Sequence, residues 1–171
     1  GMSGVHSISY EIVEPLTYMQ HIFSPSGGGG LTLAVARGFA KVLLQEPQIH
    51  CVQPAGNDTI ASALREGSSA RNIECTSQIS GLQVPYVLDG NDVIAACRAS
   101  GGTGHVVDDE TVWQMQQRLA REEGVFCEPA GAVAVAGALQ ARRNGEIVDG
   151  AKVVCLVTGS GFKDQASLQR G

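Results

Sequence analysis

His21-Ile22-Phe23-Ser24-Pro25-Ser26-Gly27-Gly28-Gly29-Gly30-Leu31 carries the chain from an apolar run through four consecutive glycines into a helical stretch, residues 31–44. The order strand, glycine loop, helix decides how the surrounding sequence is read. Glycine lets the backbone take positive φ and come close to a ligand. The first amides of the following helix have no internal partners and point over the loop, so the junction is an anion cradle that suits a phosphate. A bare glycine cluster serves equally as a turn or a close-packed helix start, and context has to choose between these uses.

Working outward, apolar periodicity predicts helices over 7–16, 31–44, 58–65, 92–99, 109–123 and 130–142, with strands over 21–24, 49–52, 105–107 and 152–157. Ile8, Ile12, Val13 and Leu16 share one stripe of the first helix, and Val112, Met115 and Leu119 face inward from the fifth. Strand–helix alternation of this kind predicts an α/β fold of three layers, a mostly parallel sheet with helices on both faces. The run Val153-Val154-Cys155-Leu156-Val157 reads as a buried parallel strand. It ends in Thr158-Gly159-Ser160-Gly161, which places Thr158 at a strand carboxyl end, where open α/β sheets bind ligands. Glu128-Pro129-Ala130-Gly131-Ala132 is a helix start, with Pro129 at the first helical position and Glu128 just ahead of it. Residues 67–88 form the one long loop, a length that signals either function or a packing partner elsewhere.

Composition limits the function classes. At 171 residues a single α/β domain over 1–171 is expected, and 43% apolar with 5% aromatic residues suits an Ala/Val/Gly-rich layered core. Twelve basic against seventeen acidic side chains give −5, with no basic cluster beyond Arg142-Arg143, so nucleic acid and anionic membrane surfaces are not expected partners. There is no apolar run of membrane-spanning length and no signal-like start, which predicts the cytoplasm. Cys51, Cys75, Cys97, Cys127 and Cys155 are odd in number and lack a C-x-x-C pair, so they read as reduced core residues. His6, His21, His50 and His105 show no metal-ligand spacing, and no role and no metal are assigned to them.

Four motifs in order carry a family resemblance: Ser26-Gly27-Gly28-Gly29-Gly30-Leu31; Ser100-Gly101-Gly102 with Val107-Asp108-Asp109-Glu110; Arg121-Glu122-Glu123-Gly124-Val125-Phe126-Cys127-Glu128-Pro129-Ala130; and Thr158-Gly159-Ser160-Gly161-Phe162-Lys163-Asp164. Together they resemble the C-terminal half of threonine synthase, within the pyridoxal-phosphate enzymes of the tryptophan-synthase-β type (fold type II), over nearly the whole chain. The resemblance implies pyridoxal 5′-phosphate as cofactor, its phosphate on Gly27, Gly28, Gly29 and Gly30, and its pyridine nitrogen at the Thr158 hydroxyl. A hydroxyl brings no negative charge to the ring, so the electron sink is mild. That suits lyase-type elimination or replacement at the β or γ carbon of a small amino acid better than transamination. Gln53 stands where the serine/threonine dehydratase and racemase branch has a glutamate that helps hold a divalent cation, and glutamine predicts no such metal site. Residues 81–86 lengthen the connection beyond what threonine synthase leads one to expect, which keeps ammonia-lyase activity open.

The chemistry of this cofactor needs a lysine amine that holds it covalently. Only Lys41, Lys152 and Lys163 are present, and none falls where the resemblance puts that lysine, in an early segment ahead of a serine-glycine-asparagine loop and a small mobile domain. The chain therefore reads as a partial enzyme, with no catalytic residue assigned and no activity expected as it stands; a non-catalytic phosphate-binding or assembly module is the alternative. Half of a doubly wound domain leaves a strand edge and an apolar face bare, and a homo-oligomer, most simply a two-fold dimer, is expected.

Overall fold

The computed structural model describes residues 2–16, 18–42 and 47–169. Strands β1 (His21–Pro25), β2 (Gln48–Pro54), β3 (Gly104–Val107) and β4 (Val153–Cys155) form one parallel sheet in the order β3-β2-β1-β4. β1 pairs on both sides, His21 facing Gln48 of β2 and Val153 of β4, and all five of its residues are buried. The helices are α1 (Ser7–Val13), α2 (Gly30–Val42), α3 (Ala61–Glu66), α4 (Gly90–Ala99), α5 (Asp109–Glu122), α6 (Pro129–Arg143) and α7 (Gln165–Gln169). Successive strand residues point to opposite faces. Ile22, Ile49 and Cys51 pack with Val35 and Phe39 of α2 and Val93 and Cys97 of α4. Phe23, Val52 and Val107 pack beneath Val112 and Met115 of α5 and the alanines of α6. The result is the expected three-layer arrangement.

Local physics moves several boundaries. The helix expected to run to Leu16 stops at Val13, because Pro15 has no amide to donate to Glu11; Glu14 is still helical, at φ −56° and ψ −51°, and the Leu16 amide still donates to the Ile12 carbonyl at 3.2 Å, but Leu16 is left 43% exposed. Leu43 and Leu44, at the end of the second predicted helix, lie outside the described residues. The helix expected over 58–65 begins only at Ala61, preceded by a 3₁₀ turn at Ala55–Asn57. The strand expected to be buried over 152–157 is shorter and only half-buried. Among the described residues it has one neighbour, β1, and its ladder ends where the Leu156 amide donates to the Phe23 carbonyl at 2.9 Å.

The long connection before α4 has no helix or strand, yet it is pinned. The Asn57 side-chain amide donates to the carbonyls of Leu82 and Val84 at 2.7 and 3.0 Å. Asp109, at the start of α5, accepts from the Ser77 hydroxyl at 2.8 Å and the Gln78 amide at 2.7 Å. Ile79 and Leu82 are thereby held in the core.

Three histidines with no sequence signature meet across β1, β2 and β3. The Thr103 amide donates to His50 Nδ1 at 3.3 Å, which makes that nitrogen an acceptor. His105 Nε2 then donates to the same atom at 3.2 Å, and His50 Nε2 donates to His21 Nδ1 at 3.1 Å. Phe23 stacks on the His50 ring at 4.4 Å. Burial lowers all three: His21 modestly, His50 to about 3, helped by the neighbouring His105 and His21, and His105 to about 4, opposed by Glu146 and assisted by Arg65.

The unfolded chain takes up protons on these residues below pH 6.5 while folded His50 and His105 do not until pH 3 to 4, so stability is complete above pH 6.5 and falls as pH drops toward 3. His50 and His105, held well below pH 5, each remove about 2 kcal/mol between pH 7 and 5. Urea unfolding at pH 7 and pH 5 should show this loss, and His50→Gln should shrink it. Equal stability of the unmodified chain at the two pH values would show that the triad titrates freely.

Candidate functional site

β1 delivers the glycines to the carboxyl edge of the sheet. The Ser26 amide donates to the Val52 carbonyl at 2.9 Å, and α2 starts four residues later, with the Leu33 amide donating to the Gly29 carbonyl at 3.0 Å. Among the described residues the amides of Gly27, Gly28 and Gly29 donate to no protein oxygen. Gly29 has φ +95°, and a Cβ there would lie 2.6 Å from Val93 and 3.2 Å from Ile60. Beneath the loop the hydroxyls of Ser26, Thr32 and Ser24 form a buried chain. Gln53, at the end of β2, donates to the Gly27 carbonyl at 3.2 Å.

Thr158 lies three residues beyond β4, against the first turn of α6. A Cβ on Gly131 would run into the Thr158 carbonyl, so only glycine lets the helix lie this close. The Glu128 amide donates to the Gly159 carbonyl at 3.2 Å and the Gly161 amide to the Phe126 carbonyl at 3.0 Å, which stitch the two segments together. The Thr158 hydroxyl donates to Glu128 Oε1 at 3.4 Å. Its proton is thus engaged and its lone pairs are left to accept. By sequence Glu128 stands only at a helix start; that it stands behind Thr158 follows from the packing of α6 on the last loop, which no residue spacing signals.

Of the predicted site residues Thr158 lines a groove, which Gly27, Gly28, Gly29 and Gly30 do not line themselves. Leu31, directly after the four glycines, and Thr158 both line a cavity of about 340 Å³ along one face of β4, with Ile8, Ile12, Val154 and Leu156 as its apolar walls. A second cavity, about 310 Å³, follows the other face past Val153 and Cys155 to Leu139 and Val148. Lys41, Lys152 and Lys163 are exposed and line neither cavity; the Lys152 ammonium lies 5.6 Å over the Tyr18 ring. The five cysteines are free thiols, with burial pushing Cys51 and Cys155 up to about 12. Among the described residues no group of three histidine, cysteine or acidic side chains is placed to hold a metal ion.

A family model described as pyridoxal-phosphate dependent enzyme matches residues 1–159. The threonine synthase of Methanosarcina acetivorans is 30% identical over 176 residues, which are 98% of this chain and 44% of that protein. The threonine synthase of Methanocaldococcus jannaschii is 28% identical, over 95% of this chain and 42% of its own. Among solved structures, the processed form of threonine deaminase isoform 2 from Solanum lycopersicum superposes with a TM-score of 0.81 at 26% identity, over 99% of this chain and 48% of that one. The chain spans about half the length of these proteins.

The geometry separates glycines that look alike in sequence. At Gly28 a Cβ would make ordinary contact with Val84 at 3.6 Å, whereas at Gly29 it meets both a left-handed backbone and the Val93 side chain. Gly29→Ala should cost about 2 kcal/mol or more, and Gly28→Ala well under half of that. Thermal unfolding of the two variants checks this; equal losses would mean that Val93 yields and the loop is not held.

Proposed function

We propose, because the chain belongs to the pyridoxal-phosphate-dependent enzyme family, that it is the cofactor-phosphate-binding part of a threonine-synthase-like enzyme that eliminates or replaces a group at the β or γ carbon of a small amino acid. The observation that carries this reading is the set of amides at Gly27, Gly28 and Gly29 that have no acceptor among the described residues, at the head of α2, whose Leu31 lines the groove that also holds Thr158. Amides at a helix start with no internal acceptor fit a phosphate dianion, and the absence of a Cβ from the loop leaves the anion room to approach.

In this assignment Gly27, Gly28, Gly29 and Gly30 hold the cofactor phosphate and Thr158 meets the pyridine nitrogen. Because Glu128 engages the Thr158 proton, the hydroxyl accepts from a protonated ring nitrogen, and the carboxylate behind it favours that protonated form. The cofactor, when bound, supplies the electron sink for the substrate carbons. A carboxylate acting through a hydroxyl stabilises ring charge less than one in direct contact, which fits reactions in which a leaving group carries the electrons away. Lys41, Lys152 and Lys163 are assigned no catalytic role; the covalent cofactor lysine and the substrate carboxylate loop are assigned to the part of the relatives' length that this chain does not span. The likeness to threonine deaminase supports ammonia-lyase chemistry as the second reading. Buried reduced thiols, and the lack of any described helix long and apolar enough to cross a membrane, are consistent with a cytoplasmic setting.

Inorganic phosphate should bind the chain and shift the amide resonances of Gly28, Gly29 and Gly30, and Gly28→Val should abolish binding. Undiminished affinity in that variant would reduce the loop to a turn. Borohydride reduction in the presence of pyridoxal phosphate should fix the cofactor stoichiometrically on none of the three lysines. A single fully labelled lysine would move the covalent site into this chain.

Self-association through the β4 face belongs to the same proposal. β4 lends its outer edge to no described strand, and an apolar groove runs along each of its faces. Covering several hundred Å² there, at about 25 cal/mol per Å², offsets the cost of association. Sedimentation at micromolar concentration should return a species of about twice 17.8 kDa, and Val153→Lys should shift it toward the monomer. A compact 17.8 kDa species from the unmodified chain would overturn this.

A further inference from the structure

Resting on the reading of Gly27–Gly30 as a phosphate cradle, we propose that Gln53 is the positioning residue that aims it. The Gln53 side chain is fully buried and uses all four of its hydrogen-bonding capacities. Its oxygen accepts from the backbone amides of Ile60 and Ala61 at 2.7 and 2.8 Å. Its nitrogen donates to the Thr59 hydroxyl at 3.0 Å and to the Gly27 carbonyl at 3.2 Å. Two backbone donors on one side and a backbone carbonyl on the other leave only one orientation of the amide group.

The consequence for the cradle follows from peptide geometry. In a planar trans peptide the carbonyl of one residue and the amide of the next point in opposite directions. Gln53 draws the Gly27 carbonyl inward, so the Gly28 amide is turned away from Gln53, and among the described residues that amide has no protein acceptor. The same side chain acts on the other end of the loop. It holds the Ile60 amide, and the Ile60 side chain, with Val93, closes the space behind Gly29. One neutral amide thus couples the end of β2, the glycine loop and the start of α3.

No other residue type of this size does the same. Glutamate keeps the acceptor for Ile60 and Ala61 but turns a carboxylate toward the Gly27 carbonyl and adds negative charge beside a site for an anion. Methionine keeps the volume and loses every bond, without adding charge. Thr59→Val removes a different partner of Gln53 and leaves its bond to Gly27 in place.

The test measures inorganic phosphate affinity by titration calorimetry, with thermal unfolding of every variant. Gln53→Met and Gln53→Glu should each lose about tenfold or more in phosphate affinity, the glutamate variant losing more. Thr59→Val, and Met115→Ala as a destabilising change in α5, should stay within about twofold of the unmodified chain. A scalar coupling across the hydrogen bond from the Gln53 side-chain nitrogen to the Gly27 carbonyl carbon should be seen in the unmodified protein, which reads the contact with no variant needed. Phosphate affinity unchanged in Gln53→Met and Gln53→Glu, losses matched by Met115→Ala, or absence of that coupling overturns the role of Gln53. If the unmodified chain binds no phosphate while the coupling is present, the cradle reading is what has failed, and this proposal falls with it.

Discussion

The parallel pairing of β1 with β2 on one side and β4 on the other is the constraint on which the rest of the molecule depends. A central strand buried on both faces satisfies its backbone only through its two neighbours. That requirement fixes the register His21–Gln48 and His21–Val153, and register decides which strand ends lie side by side. Gly27 follows β1, Gln53 closes β2 and Thr158 follows β4, so one ladder gathers at a single sheet edge three residues spread over more than a hundred positions. Nothing in the local chemistry of any one of them would do so.

The same register has a second consequence at the opposite end of the strands. His21, His50 and His105 are ordinary strand residues by sequence, yet parallel pairing puts them on one face within hydrogen-bonding distance. In this interior burial lowers all three imidazoles, and His50, at the centre, is held down to about 3 because a proton there would also sit beside His105 and His21. The Thr103 amide sets the direction of the chain, and Arg65 with Glu146 closes its far end.

The two edges of the sheet are treated differently. On β3 the Arg65 guanidinium takes the Gly104 carbonyl at 2.9 Å while holding Glu146 at 2.6 Å, and α3 covers the strand. On β4 no described segment plays that part, and Val153, Val154, Cys155 and Leu156 are all half-buried although each is apolar. An edge blunted by a bonded arginine is closed to further pairing; an apolar edge with a groove on either face is left open.

What the sequence determined by itself was the alternation of elements, the three-layer class, the glycine loop before α2 and the polar end of the run Val153-Val154-Cys155-Leu156-Val157. These are local signals, written as period, glycine placement and the proline at the start of α6. The family resemblance was legible too, because its motifs are contiguous. Tertiary structure alone decided that the strand at 153 is an edge and half-exposed, since burial depends on how many neighbours a strand finds and not on its own composition. It alone brought Glu128 to Thr158 and the three histidines to one another, and it alone gave Gln53 its four partners. Those contacts join residues far apart in the chain, and their distances are set by sheet register and by how closely a helix start such as Gly131 can approach, quantities that no short stretch of residues encodes.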